Sequence, residues 1–239
     1  MRRHQGTTLK GVLKARLPIL ATVKWWFIDA CRRRQSMRTV FTEIYRTQGF
    51  GESASVSGPG SDLVNTTAIR AAIPRLLQDL RVRSLLDAPC GDGYWVNAVP
   101  LPVERYIGVD IVPDMIRQNQ HDYEGPGKSF QCLDLTTDPL PCVDLILCRD
   151  CLVHMSFQEA VAVIRNFKRS GSRYLLTTTF SGLASHSDIV KGRWRPLNLQ
   201  LPPFGFPAPQ RIIQEYGRHA EGLAAQKCLG LWELTALEL

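Results

Sequence analysis

The stretch Ser84-Leu85-Leu86-Asp87-Ala88-Pro89-Cys90-Gly91-Asp92-Gly93 decides how the rest of the chain is read. It opens as a short apolar run, the pattern of a buried strand. It then breaks at Asp87 into a Gly91-x-Gly93 turn, and a helix-compatible segment follows from Tyr94. A strand, a tight glycine turn and a helix start make the first unit of a nucleotide-binding α/β sheet. The glycines matter because, without a Cβ, backbone N–H groups come close to a ligand. A dinucleotide site is not expected. The third glycine of the G-x-G-x-x-G pattern falls at Val96, where such a site asks for Gly or Ala.

Downstream, apolar runs alternate with helix-period segments. Strands are expected at 84–88, 105–111, 128–135, 143–148 and 174–180. Helices are expected at 95–99, 113–121 and 157–168, with Pro113 at a first helical position and Ser156 as an N-cap. Such alternation implies a parallel sheet covered on both faces. Upstream, 63–80 reads as a helix that Pro74 kinks or divides and that Ser61 or Asp62 caps. The Ser/Gly-rich stretch 53–61 is either a plain linker or, over Val56-Ser57-Gly58-Pro59-Gly60-Ser61, a set of donors for a ligand carboxylate. Residues 181–209 show no period and read as a lid or binding loop. Two closing strands follow at 211–216 and 228–235. The expected fold is α/β: a Rossmann-like, doubly wound, mainly parallel seven-stranded sheet with a closing antiparallel strand and an N-terminal helical extension.

Charge divides the chain at the same place. Residues 1–40 hold ten of the 29 Lys/Arg and one of the 22 acids, Asp29, for a net +9; the other 199 residues carry −2. We therefore expect a basic amphipathic extension over 1–38 and a main domain over 39–239. Ile19, Val23, Trp26 and Ala30 share a helical face. With Trp25 and the flanking bases this segment either sits at a membrane surface or packs on the domain. Nucleic acid is the less expected partner, because the basic run has no accompanying recognisable fold. No run reaches the ~18 apolar residues of a membrane span. Lys24 and Asp29 interrupt 19–30, and Arg32-Arg33-Arg34 leave no small-residue cleavage site, so a signal peptide is not expected. Seven scattered cysteines fit reduced thiols in a cytoplasmic protein. Cys148 and Cys151 have C-x-x-C spacing, but no second Cys/His pair completes a zinc site, and no metal is expected.

Two further acids end strands. Asp110 stands 23 residues after Asp87 and either accepts ribose hydroxyls or caps the next helix. Asp134 either takes an adenine amino group or forms a turn beside Thr136. Together with the glycine turn, these positions resemble class I S-adenosylmethionine-dependent methyltransferases over residues 39–239. Longer stretches resemble a narrower bacterial-type group within that family: Ile44-Tyr45-Arg46-Thr47 before Ser57-Gly58-Pro59-Gly60, then Leu147-Cys148-Arg149-Asp150-Cys151-Leu152-Val153-His154, and Arg195-Pro196-Leu197-Asn198-Leu199. The resemblance implies S-adenosylmethionine as cofactor. It carries cofactor contact to Arg46, Gly58, Asp87, Ala88, Cys90, Gly91, Gly93, Asp110, Asp134, Leu135 and Arg149. The group's association with glycan genes suggests a hydroxyl-bearing acceptor, a sugar or glycolipid.

Asp150 and His154 follow strand four, at the carboxyl edge where open α/β sheets bind ligands. An alcohol must lose its proton as it attacks a methyl group, and an imidazole is suited to take it. The expected catalytic pair is His154 with Asp150 orienting it or itself the base; the other reading is a turn-capping acid and a packed ring. Trp194, Arg195 and Asn198 either contact acceptor or pack within the 181–209 loop. No Asn/Asp-Pro-Pro-Tyr/Phe motif follows strand four, which argues against amino methylation of nucleic acid. The rival readings are a nucleic-acid or protein methyltransferase docking through the basic N-terminus, and a non-catalytic scaffold that binds S-adenosylmethionine.

Overall fold

A computed structural model describes residues 25–51, 53–216 and 221–238. Contacts divide the chain into two units, Met1–Ser36 and Met37–Leu239. In the first, residues 25–34 are helical (α1), and Trp25, Trp26 and Phe27 expose their side chains. The amphipathic reading of residues 19–24 lies outside the described residues.

The second unit is built on a seven-stranded sheet. Its strands are β1 (Ser84–Asp87), β2 (Arg105–Asp110), β3 (Lys128–Cys132), β4 (Leu145–Cys148), β5 (Tyr174–Phe180), β6 (Arg211–Gln214) and β7 (Lys227–Glu233). They lie in the order β3-β2-β1-β4-β5-β7-β6. Only β7 runs against its neighbours, pairing antiparallel with both β5 and β6. The helices are α2 (Met37–Arg46), α3 (Thr67–Asp79), α4 (Pro113–Tyr123), α5 (Phe157–Arg169) and the short α6 (Gly222–Gln226).

Side chains of successive strand residues alternate between the two faces. Leu86, Ile107 and Ile146 pack with Val163, Ile164 and Phe167 of α5 in one core. Leu85, Tyr106, Leu145 and Leu147 pack with Ile69, Ile73 and Leu77 of α3 in the other. The strand order reverses between β1 and β4, and the carboxyl ends of these two strands flank a crevice suited to a ligand.

Local chemistry sets most boundaries. Ser156 Oγ accepts from the Glu159 N–H while the Glu159 carboxylate accepts from the Ser156 N–H, so a capping box starts α5 at Phe157. Pro113 opens α4 as expected. The helix read at 63–80 starts only at Thr67 and runs through Pro74 without division. Neither Ser61 nor Asp62 is its N-cap; that position is Thr66, because Pro59–Ser61 forms a separate 3-10 turn that Asp62 closes. The helix expected at 95–99 is one 3-10 turn, Val96–Ala98. β3 stops at Cys132 because Asp134 folds the chain, its carboxylate accepting from the N–H and hydroxyl of Thr136.

Residues 181–209 form no helix or strand, yet they are packed. Leu197, Leu199, Phe204 and Phe206 join the α5-side core, and the Trp232 indole donates to the Pro207 carbonyl. This loop is a fixed outer layer of the domain.

Candidate active site

One cavity of about 450 Å3 opens at the carboxyl ends of β1, β2 and β4. Its size lies within the range of small-molecule sites. One side is the glycine turn. Gly91 has φ +55, and a Cβ there would stand 2.4 Å from Ser57 Oγ, so the backbone comes as near to the facing loop as glycine permits. The facing loop is held by an acid inside the turn. Asp92 accepts from Ser55 Oγ at 3.0 Å, from Val56 N–H at 2.9 Å and from Ser57 Oγ at 3.4 Å. The donors read as free for a ligand carboxylate at Val56 and Ser57 are therefore engaged by Asp92.

Asp110 is the buried acid of the wall. Its Oδ1 accepts from Val112 N–H at 3.0 Å and its Oδ2 from Gly91 N–H at 3.2 Å. Each oxygen keeps a lone pair for a further donor. Burial pushes this carboxyl up to about 6, against the pull of those backbone donors. Asp87 also lines the cavity, accepts from the Tyr106 hydroxyl at 2.7 Å, and is pushed by burial up to about 7. A buried acid with spare lone pairs, beside a glycine turn that a side chain would fill, fits the hydroxyl-rich nucleoside of S-adenosylmethionine.

Across the cavity stands His154, in a 3-10 turn (Leu152–His154) after β4. Its ring lies 4.8 Å from that of Phe50. Its Nδ1 is 2.9 Å from the Arg193 carbonyl. A carbonyl only accepts, so Nδ1 carries the proton and Nε2 is the basic nitrogen of the neutral ring. Burial lowers the pKa of this imidazole, which keeps it neutral at pH 7. Asp150, at φ +50, has a different commitment. Its Oδ2 lies 2.7 Å from Lys227 Nζ and 3.3 Å from Arg149 Nη2. Burial raises its pKa, but the two cations outweigh this and hold the carboxyl below its ordinary value.

Residues 85–171 match a family model described as a methyltransferase domain. The match runs from β1 through α5 and so takes in the glycine turn, Asp110 and His154. The fold recurs in magnesium protoporphyrin IX methyltransferase from Synechocystis PCC 6803, solved with bound S-adenosylmethionine: 14% identity, 83% of this chain and 97% of that one, TM-score 0.54. It recurs in N-methyltransferase NodS from Bradyrhizobium japonicum WM9 with S-adenosylhomocysteine: 15% identity, 79% and 97% coverage, TM-score 0.56. A third is 1,6-didemethyltoxoflavin-N1-methyltransferase from Burkholderia thailandensis, with 15% identity, 82% and 86% coverage and TM-score 0.54. At these identities the likeness is one of fold. No curated protein matches the chain in sequence.

Several residues expected at the methyltransferase site do line the cavity: Gly58, Asp87, Cys90, Gly91, Asp110, Leu135, Arg149, Asp150, His154 and Trp194. Others lie outside its wall. Arg46 ends α2 with an exposed side chain 3.7 Å from Asp114. Ala88 is buried in the core, and Gly93 at φ +66 faces Asn97. Asp134 spends a carboxylate oxygen on Thr136, the turn reading of that residue. Arg195 is 5% exposed, stacks 4.8 Å from the Phe157 ring and donates to the Leu152 carbonyl. Asn198 bonds Leu183 and Gln200 inside the loop. Of the three residues assigned to acceptor, only Trp194 reaches the cavity, half-exposed and edge-on to Phe180.

Sequence reasoning missed Asp92, Glu215 and Lys227. An acid within the C-G-D-G turn was a visible signal for the first. The other two sit in the closing hairpin and gave no local signal.

Proposed function

We propose that this protein is an O-directed S-adenosylmethionine-dependent methyltransferase that acts on a sugar or glycolipid-like acceptor. When bound, the cofactor supplies an electrophilic methyl group as a sulfonium. Asp110 accepts the ribose hydroxyls, and the Gly91 turn leaves room for the backbone to approach. His154 Nε2 takes the acceptor proton, and the Asp150 anion nearby favours the imidazolium that forms. Phe50 and Trp194 offer ring faces to a pyranose, whose C–H face is apolar. The basic 1–36 segment, with its exposed Trp25, Trp26 and Phe27, holds the protein at an anionic membrane surface on the cytoplasmic side.

The observation that carries this reading is the tautomer of His154: its proton is held by Arg193, so a neutral Nε2 is available at the cavity wall. The test is single-turnover methylation of glycolipid and free-sugar acceptors with labelled S-adenosylmethionine. The expected product is a methyl ether. Wild-type activity should persist from neutral pH down to below 6.5, since the depressed pKa keeps the base unprotonated there. His154→Ala should cost ~100- to 10,000-fold in rate with cofactor affinity retained. A methylated nitrogen in the product, or wild-type rates from folded His154→Ala, would sink the reading.

A further inference from the structure

In the cavity wall lies a ring of four charges, of which Arg149, Asp150 and Lys227 line the cavity and Glu215 is buried behind them. Arg149 Nη2 lies 2.8 Å from Glu215 Oε2, and Lys227 Nζ lies 3.0 Å from the same oxygen. The two cations also share Asp150 Oδ2, at 3.3 Å and 2.7 Å. Signs alternate around the ring, and its net charge is zero. The Glu215 side chain is 0% exposed, and two cations meet one of its oxygens there.

The ring joins parts of the chain that are distant in sequence and adjacent to the cavity. Arg149 Nη2 donates to the Gly60 carbonyl at 2.7 Å, and so fixes the Pro59–Ser61 turn that faces the glycine turn. Glu215 follows β6, and Lys227 opens β7. Tyr216, next to Glu215, and Leu223, four residues before Lys227, both line the cavity. The Asp150 N–H donates to Thr178 Oγ1 at 2.9 Å, which orients the carboxylate from its left-handed backbone position.

We propose that Glu215 and Lys227 are positioning residues whose paired charges, through Arg149, lock the Pro59–Ser61 turn and the facing ends of β6 and β7 around the cofactor. This rests on the cofactor reading above. A purely structural salt bridge would change stability alone. A positioning ring would change cofactor affinity through Arg149, and charge balance would decide by how much. Removing Glu215 leaves two cations to one carboxylate; removing Lys227 as well restores one to one.

The experiment is calorimetric titration of the full-length protein with S-adenosylhomocysteine, alongside thermal unfolding. The variants are Glu215→Gln, Lys227→Met and the double variant, with Phe167→Leu as a core control remote from the ring. We expect Glu215→Gln to weaken binding roughly tenfold, within the coupling seen for residues sharing one ionic network. The double variant should bind more tightly than Glu215→Gln, and Phe167→Leu should lose thermal stability while keeping its affinity. Wild-type affinity in Glu215→Gln would overturn the proposal, as would strictly additive single effects in the double variant. If Glu215→Gln does not fold, wild-type affinity in the charge-balanced double variant together with weak binding by Lys227→Met supports the ring, and equally weak binding in both overturns it. A wild-type protein that ignores S-adenosylhomocysteine refutes the cofactor reading itself, a result distinct from all of these.

Discussion

Asp110 links the chemistry of one carboxyl to two opposed pH dependences. Its pKa of about 6 in the folded protein exceeds the unfolded value near 3.9, so the native state binds its proton more tightly. The stability it contributes is fully present below pH 4 and is lost as pH rises through about 6; Asp87 extends the same loss to about 7. Ligand-free protein should therefore melt at progressively lower temperature between about pH 4 and 7. Ribose hydroxyls need the anion as acceptor, so S-adenosylhomocysteine affinity should rise over the window where stability falls. Thermal unfolding with and without ligand at each pH reads both, and a ligand-induced shift that does not grow with pH would count against Asp110 as the ribose acid. Asp110→Ala should weaken binding by about 1.5–3 kcal/mol, the worth of hydrogen bonds to a charged acceptor. At His154 a single contact fixes the tautomer: the Arg193 carbonyl holds the proton on Nδ1 and leaves Nε2 as the basic nitrogen.

At the scale of elements, two devices control the site, and they are separable. The capping box of α5 shapes the helix that follows the Leu152–His154 turn, and Ser156→Ala should cost about 1 kcal/mol in chemical denaturation with little change in cofactor affinity. The glycine turn shapes the cavity itself. Gly91→Ala forces a Cβ into φ +55, at about 1–2 kcal/mol, and drives Ser57 from Asp92, so it should lose both stability and S-adenosylhomocysteine binding. An Ala variant that binds normally would show that the Ser55–Ser57 loop is free to retreat. The difference also explains what was legible in the sequence. β1, β2 and β5 announce themselves as apolar runs, and Gly91, Asp110 and Ser156 act within a few residues of their own strand or helix. Arg149 meets Glu215 across 66 residues and Asp150 meets Lys227 across 77, and a Glu and a Lys flanking a hairpin read as solvated charge until the antiparallel return of β7 along β5 brings them to the two residues that follow β4. Arg195 and Asn198 follow the packing reading of the 181–209 loop for a related cause: Leu197, Leu199, Phe204 and Phe206 commit the stretch to the core and carry the polar residues inward with it.

For the whole molecule the question is why a near-neutral enzyme body carries so basic a leader. Ten Lys/Arg against one acid in residues 1–40 make a segment that anionic lipid headgroups attract at roughly 1 kcal/mol per base close to the surface. Charge alone would leave that attachment weak at physiological salt, because the Debye length is about 8 Å there. The exposed Trp25, Trp26 and Phe27 add the apolar component that an interfacial helix needs. Among the described residues no helix is long and apolar enough to cross a membrane. The cut that tests this falls after Ser36, because Met37 already belongs to the core and the cavity wall. Protein lacking residues 1–36 should no longer co-sediment with vesicles rich in phosphatidylserine, while S-adenosylhomocysteine affinity stays unchanged. Full-length protein should bind those vesicles at low salt, release progressively as salt rises, and ignore phosphatidylcholine vesicles. Replacing Trp25 and Trp26 by Ala should weaken binding at all salt concentrations, whereas replacing Arg32, Arg33 and Arg34 by Gln should flatten the salt dependence. Indifference of the full-length protein to anionic vesicles at low salt would remove the membrane from its function and leave a soluble acceptor as the molecule to seek.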